Sequence, residues 1–399
     1  MSVPALRFKD DDGKEFPEWG ESTIGERVTE KSAKFNPEKS SDTFKCIELE
    51  HLSQNTGELL GYTDTSLSKS IKNKFVTGDV LFGKLRPYLK KFLKAPFTGV
   101  CSTEIWVLKG KNISNDYLFQ FVQTEYFITQ TNISSGSKMP RADWNVVSSA
   151  PSYFPSLPEQ TKIANFLTAV DEKISILNQK AKLLSQYKKG VMQQIFSQEL
   201  RFKDDDGQEF PEWEEKTLGE VGENIIGLTY SPKNVTDDKS CPIVLRSSNI
   251  KNDMLDLNDQ VRVKENIPEK LFTKKDDILI CTRNGSQRLI GKNVLISNVE
   301  TQMTFGAFMS VYRSPFNRFI VHLFKTDNYN EQIQMNLGAR INSITTKNLN
   351  AFSFWFPSLP EQTKIANFLT AIDDKITTNQ TQLNAVKQYK QGLLQQMFV

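Results

Sequence analysis

Two stretches of the chain carry apolar residues at heptad spacing. In the first, Ile163, Val170, Leu177, Leu184 and Val191 form one line, and Leu167, Ile174, Ala181, Lys188 and Ile195 form the other. In the second the lines are Ile365, Ile372, Asn379, Val386 and Leu393, and Leu369, Ile376, Leu383, Lys390 and Met397. Nine of ten seam positions are apolar in the first stretch and eight of ten in the second, which is the pattern of a coiled-coil helix. Ser156-Leu157-Pro158-Glu159 reads as the helix start, with a capping Ser, Pro in the first turn and Glu three residues on. Each predicted helix is roughly 38 residues, or about 57 Å, long enough to overhang a small domain. Pairing with each other is therefore favoured over two amphipathic helices lying separately on their own domains.

The helices belong to a duplication. Residues 6–19 return at 200–213 with only Lys14 replaced, by Gln208, and residues 154–169 recur unchanged at 356–371. Between these fixed parts the stretches 20–153 and 214–355 share only a loose pattern, as expected of a scaffold that presents two different readers. The division read from the sequence is 1–154, a first globular domain; 155–198, a first helix; 199–356, a second globular domain; and 357–399, a second helix. Connectivity makes the two helices antiparallel if they pack along their length. The expected fold is α+β: two globular domains separated by a long antiparallel two-helix coiled coil, with pseudo-twofold symmetry. Lys188, Lys390 and Asn379 interrupt the apolar lines. They either select register or run their stems out to solvent.

Each insert places a run of cationic and amide side chains after a buried strand. In the first, residues 75–83 alternate as a strand and lead to Lys84, Arg86, Tyr88, Lys90 and Lys91. In the second, residues 275–281 lead to Arg283, Asn284, Arg288 and Lys292. A second aligned pair sets residues 135–141, with Gly136, Lys138 and Arg141, against 337–343, with Gly338, Arg340 and Asn342; Gly136 matches Gly338 and Lys138 matches Arg340. Either glycine suits close backbone approach to a phosphate or the C-cap of the preceding helical segment at 117–131. Arg reads guanine, Asn reads adenine and Lys neutralises phosphate; the plainer alternative for each loop is a solvated hairpin. Tyr88, Trp144 and Trp355 read more readily as core than as base-stacking groups.

Composition changes this picture little. The chain has 399 residues, 38% hydrophobic and 11% aromatic, enough for real cores. Net charge is only +3, so a polyanion site must come from the distribution of its 50 Lys and Arg. Cys46, Cys101, Cys241 and Cys281 are scattered and read as reduced thiols of a cytoplasmic protein, and no apolar run reaches spanning length. His51 and His322 have no metal-ligand spacing. The 285–292 segment has five residues between its glycines and Asn293 where a phosphate loop needs Ser or Thr. Asp10-Asp11-Asp12 and its copy at 204–206 read as solvated turns rather than a metal site.

The order insert, Leu-Pro helix start, long helix, insert, helix resembles the specificity subunit of type I restriction-modification enzymes. The resemblance covers essentially the whole chain, and its carriers are residues 154–160 and 356–362, 83–91 and 135–141. It implies a non-catalytic subunit in which two target-recognition domains each read one half of a bipartite, asymmetric double-stranded DNA site. It also implies partners: two methyltransferase (modification) subunits and two restriction/translocase subunits, with S-adenosylmethionine, ATP and magnesium bound by those partners. Two other classes remain open to the residues alone, a duplicated DNA methyltransferase or nuclease with degenerate motifs, and a coiled-coil scaffold without DNA contact.

Overall fold

The computed structural model describes residues 4–67, 69–133, 139–299, 301–337 and 342–398. The chain divides into two compact units: residues 1–179 with 379–399, and residues 180–378. Two helices, Leu157–Phe196 and Leu359–Met397, each contribute one part to each unit.

In the first unit an antiparallel four-stranded sheet has the order 28–29, 105–110, 80–83, 92–94. A five-stranded sheet runs 34–35, 72–75, 99–102, 45–47, 63–64, with 45–47 parallel to 99–102. The alternating run 75–83 is therefore not one strand. Lys72–Phe75 and Val80–Gly83 belong to different sheets, divided by a turn in which Gly78 takes φ +87° and Asp79 Oδ2 accepts from Val76 N at 2.9 Å. The helical segment at 117–131 is likewise two helices, Asn115–Phe121 and Glu125–Asn132, because the Thr124 side chain caps the second. The core gathers Phe82, Trp106, Tyr117, Phe121, Phe127 and Phe154 against Ile163 and Leu167 of the first long helix and Leu393 and Met397 of the second.

The second unit repeats this plan. Its antiparallel sheet has the order 223–226, 309–313, 278–281, 293–295, and a second sheet runs 235–236, 262–263, 243–245, 303–305, with 243–245 parallel to 303–305. Only Ile278–Cys281 of the 275–281 run is strand; Asp277 instead accepts from Lys274 N at 2.7 Å and pairs with Arg313 at 2.7 Å. Tyr312, Phe319, Phe324, Tyr329 and Phe354 pack against Val191 and Ile195 of the first long helix and Ile365 and Leu369 of the second.

The repeated segments form a clasp at each helix start. Arg7 donates from Nε and Nη2 to the fully buried Glu159 carboxylate at 2.9 and 2.8 Å, and Trp19 Nε1 donates to it at 3.2 Å. Arg201, Glu361 and Trp213 repeat the arrangement at 3.2, 2.8 and 3.1 Å. Glu159 is thus taken by Arg7 and Trp19, not by a capping box, and Ser156 Oγ is buried without a hydrogen-bond partner among the described residues. The acidic triplets are hairpin turns: Asp10 Oδ1 accepts from Asp12 N and Lys14 N, and Asp11 pairs with Lys162 at 2.6 Å.

All twenty positions of the heptad lines, including Val170, Ile174, Leu177, Leu184, Ile372, Ile376, Leu383 and Val386, are buried or half-buried. In the first unit Lys390 Nζ pairs with Asp171 at 2.6 Å and Asn379 Nδ2 donates to Leu177 O at 2.9 Å. One helix part advances as the other retreats, so they run antiparallel there. In the second unit Lys188 Nζ pairs with Asp373 at 2.5 Å in the same register. Both seam lysines therefore end on carboxylates of the facing helix part.

Candidate nucleic-acid interface

The two basic loops start from the same strand register. Ile105 lies opposite Gly83 in the first unit, and Met309 lies opposite Cys281 in the second. The loop amide after the strand then donates to the residue before the partner strand: Lys84 N to Glu104 O at 3.0 Å, and Thr282 N to Phe308 O at 3.0 Å. The far loop ends also correspond, with Gly83 N donating to Lys91 O at 2.9 Å and Cys281 N to Lys292 O at 2.8 Å.

Each loop is bridged to the second sequence-identified segment of its own unit. In the first, Leu85 pairs with Arg141, Arg86 N donates to Pro140 O at 2.8 Å and Ala142 N to Lys84 O at 2.9 Å. In the second, Arg283 pairs with Ser343, Asn284 N donates to Asn342 O at 3.2 Å and Ile344 N to Thr282 O at 2.9 Å. The structure therefore brings Lys84, Arg86 and Arg141 together, and Arg283, Asn284 and Asn342 together. Lys138 and Arg340, with Gly136 and Gly338, lie outside the described residues. In this register Arg283 occupies the place of Leu85, and Asn284 that of Arg86.

In the first unit Arg86 and Lys90 flank a single 3-10 turn, Pro87–Leu89, and both take left-handed backbone (φ 53° and 48°), a strained choice for non-glycine residues. Arg86 is exposed and its guanidinium has no ion-pair partner among the described residues. Tyr88 is 53% exposed, so it is a surface residue and not core. The rest of the loop is anchored. Lys90 pairs with Glu125 of the following helix, Lys91 Nζ donates to Leu49 O at 2.6 Å, and Arg141 Nε donates to Glu104 Oε2 at 3.0 Å.

In the second unit Asn284 Nδ2 donates to Ser247 Oγ at 3.0 Å, and Asn342 Nδ2 donates to Gly285 O at 3.0 Å. Gly291 has φ +82° and lies against Ile333, where a Cβ would approach Cδ1 to 2.8 Å, and its carbonyl accepts from Tyr329 Oη at 2.9 Å. Arg288 is exposed on the turn Gln287–Leu289, and Lys292 is half-buried at the loop end. Burial pushes the Cys281 thiol up to about 11, keeping it a neutral donor to Arg283 O at 3.7 Å. Arg283 lies over the Phe308 ring with Cζ 5.4 Å from the centroid, and Phe308 is 58% exposed.

Glu104, Phe308, Leu49 and Ser247 were not marked by the sequence, because they come from strands and turns that only folding brings to the loops. Glu104 and Phe308 each stand just before the partner strand, a place that strand register marks. Among the described residues no His, Cys, Asp and Glu group could hold a metal ion, and no helix is long and apolar enough to cross a membrane.

Two α+β units, each carrying a basic loop bridged to a second polar segment, define a duplicated α+β protein. The chain belongs to the family described as type I restriction modification DNA specificity domain, which matches it twice, over residues 18–186 and 211–388. It is 29% identical over 196 residues to the StySPI specificity subunit of Salmonella potsdam (46% of this chain, 42% of the relative). It is 33% identical over 117 residues to the EcoDI specificity subunit of Escherichia coli (28% and 26%). The chain thus spans less than half the length of these curated relatives. Its fold matches the crystal structure of a type I restriction-modification S subunit from M. genitalium with TM-score 0.63 at 15% identity, over 100% of this chain and 99% of the other. A structure concerned with complex assembly and conformational transition of a type I R-M system matches with TM-score 0.54 at 18% identity, covering 95% and 97%.

Proposed function

We propose that this chain is the non-catalytic specificity subunit of a cytoplasmic type I restriction-modification complex. Domain 1–154 reads one half of a bipartite, asymmetric DNA site and domain 199–356 reads the other. The helical regions 155–198 and 357–399 form an antiparallel coiled coil with pseudo-twofold symmetry. They set the spacing of the readers and dock two methyltransferase subunits, which join two restriction/translocase subunits. S-adenosylmethionine, ATP and magnesium reside on those partners.

The observation that carries the reading is the bridged pair of loops, built on one register in both units from different side chains. A conserved-in-chain frame with exchanged polar tips is what two readers of different sequences require. The reciprocal lysine–aspartate pairs at 390/171 and 188/373 support a common antiparallel register for the helices. At 40 residues the first long helix spans about 60 Å, longer than the ~34–36 Å turn that separates half-sites in dimeric DNA readers.

Methylation sequencing of cells expressing the chain with its modification subunits tests this directly. A single bipartite motif is the expected result, and methylation without a motif, or none, overturns it. Calorimetric titration of the isolated chain with S-adenosylmethionine should show no heat; saturable binding would favour the methyltransferase alternative.

A further inference from the structure

The bridge between the two polar segments carries one arginine in each unit, but on opposite members. In the first unit the pair is Leu85 with Arg141; in the second it is Arg283 with Ser343. In both units the residue preceding the partner strand holds that arginine. Glu104 does so through its carboxylate, which accepts from Arg141 Nε at 3.0 Å. Phe308 does so through its ring, 5.4 Å from Arg283 Cζ. These two residues also occupy the same backbone place, since Glu104 O accepts from Lys84 N and Phe308 O accepts from Thr282 N and Arg283 N, all at 3.0 Å.

The two grips are chemically different but leave the same atoms available. A guanidinium stacked on a ring keeps all its N–H groups for other acceptors, and one bonded through Nε keeps both terminal nitrogens. In each unit the outer fork is therefore free among the described residues, in the geometry that takes guanine O6 and N7 bidentately. Arg141 is half-exposed, and Phe308, on which Arg283 lies, is open to solvent, so both forks are accessible.

We propose that Arg141 and Arg283 are the equivalent guanine-reading side chains of the two units, and that Glu104 and Phe308 are their positioning residues. The inference rests on the DNA-reading role proposed above and names residues within it. The side chain at the 104/308 place restricts its arginine before DNA arrives, so less freedom is lost on binding. An acid serves an arginine on the second segment, and an aromatic ring serves one on the loop.

The test uses the full chain assembled with its modification subunits. Competition binding is measured against the cognate duplex and against duplexes altered at one base pair at a time. Arg283→Ala and Phe308→Ala should both flatten preference at one and the same G·C pair of one half-site, by roughly tenfold. Phe308→Tyr should restore it, and Phe308→Ala should leave the salt slope unchanged because no phosphate contact is lost. Arg141→Ala and Glu104→Ala should act together in the same way at a G·C pair of the other half-site. The proposal is overturned if Phe308→Ala weakens all duplexes alike, or if the arginine and its partner affect different positions. If the unaltered complex shows no sequence preference, the DNA-reading role itself fails, a result separate from either.

Discussion

Lys390 Nζ lies 2.6 Å from Asp171 Oδ1, and the residues aligned with them by the duplication, Lys188 and Asp373, make the reciprocal pair at 2.5 Å. Lys390 also donates to Gln123 Oε1 at 2.5 Å and is mostly buried. Desolvation pushes its ammonium down from the usual lysine range, against the pull of Asp171.

Because the ammonium is buried, removing one partner should cost more than removing both. Asp171→Leu should destabilise the chain by about 3 kcal/mol, the scale for leaving a largely buried charge unpaired. Lys390→Met with Asp171→Leu should recover most of that loss. Urea denaturation of the two variants checks the order.

Asp171 and Asp373 also face different residues at one place: Gln120 Nε2 donates to Asp171 at 3.0 Å, whereas His322 Nδ1 is 4.0 Å from Asp373. Burial, then the charges of Lys188 and Lys325, lower the His322 imidazole from 6.5 to about 3. It is folded neutral, so the unfolded chain takes up the proton first as pH falls. Stability present above pH 6.5 should decline by about 1.4 kcal/mol per unit below it, until the folded value near 3 is reached. His322→Gln, which installs the first unit's residue, should flatten this loss, measured as the difference in urea midpoint between pH 7.5 and pH 5.

Arg7 and Arg201 each neutralise a fully buried glutamate that also accepts from a tryptophan. Arg7→Ala should destabilise its unit by about 3–5 kcal/mol by stranding Glu159. The fluorescence of Trp19 should change as its acceptor is lost. Unchanged melting and emission would contradict the clasp.

Lys292 has no ion-pair partner among the described residues, whereas Lys90 is paired with Glu125 and Lys91 is bonded to Leu49 O. As a phosphate contact, Lys292→Ala should reduce the slope of log affinity against log salt by about 1, uniformly across DNA sequences. Lys90→Ala should change it less, since its charge is already shared with Glu125.

The parts read from the chain were those written in local periodicity. The heptads mark the regions 155–198 and 357–399, which contain the helices Leu157–Phe196 and Leu359–Met397, and the repeated segments 6–19 and 200–213 are those that form the clasps. The loops after Gly83 and Cys281 were also legible, as polar runs following apolar strands. Local spacing does not reveal neighbours that come from afar. Residues 75–83 hold a turn between two sheets, Glu159 answers Arg7 across 152 residues, and Tyr88 lies outside the core.

By itself the sequence determined the duplication, the two long helices and the places where polar loops leave the strands. Those features depend on spacing along the chain, which is a property of neighbouring residues. Tertiary structure decided which residues are equivalent and which arginine is held. Leu85 with Arg141 and Arg283 with Ser343 meet only because strand register carries distant segments together, placing Glu104 under one guanidinium and Phe308 under the other. Register is set by cross-strand hydrogen bonds and buried faces, and those exist only once the sheets have formed.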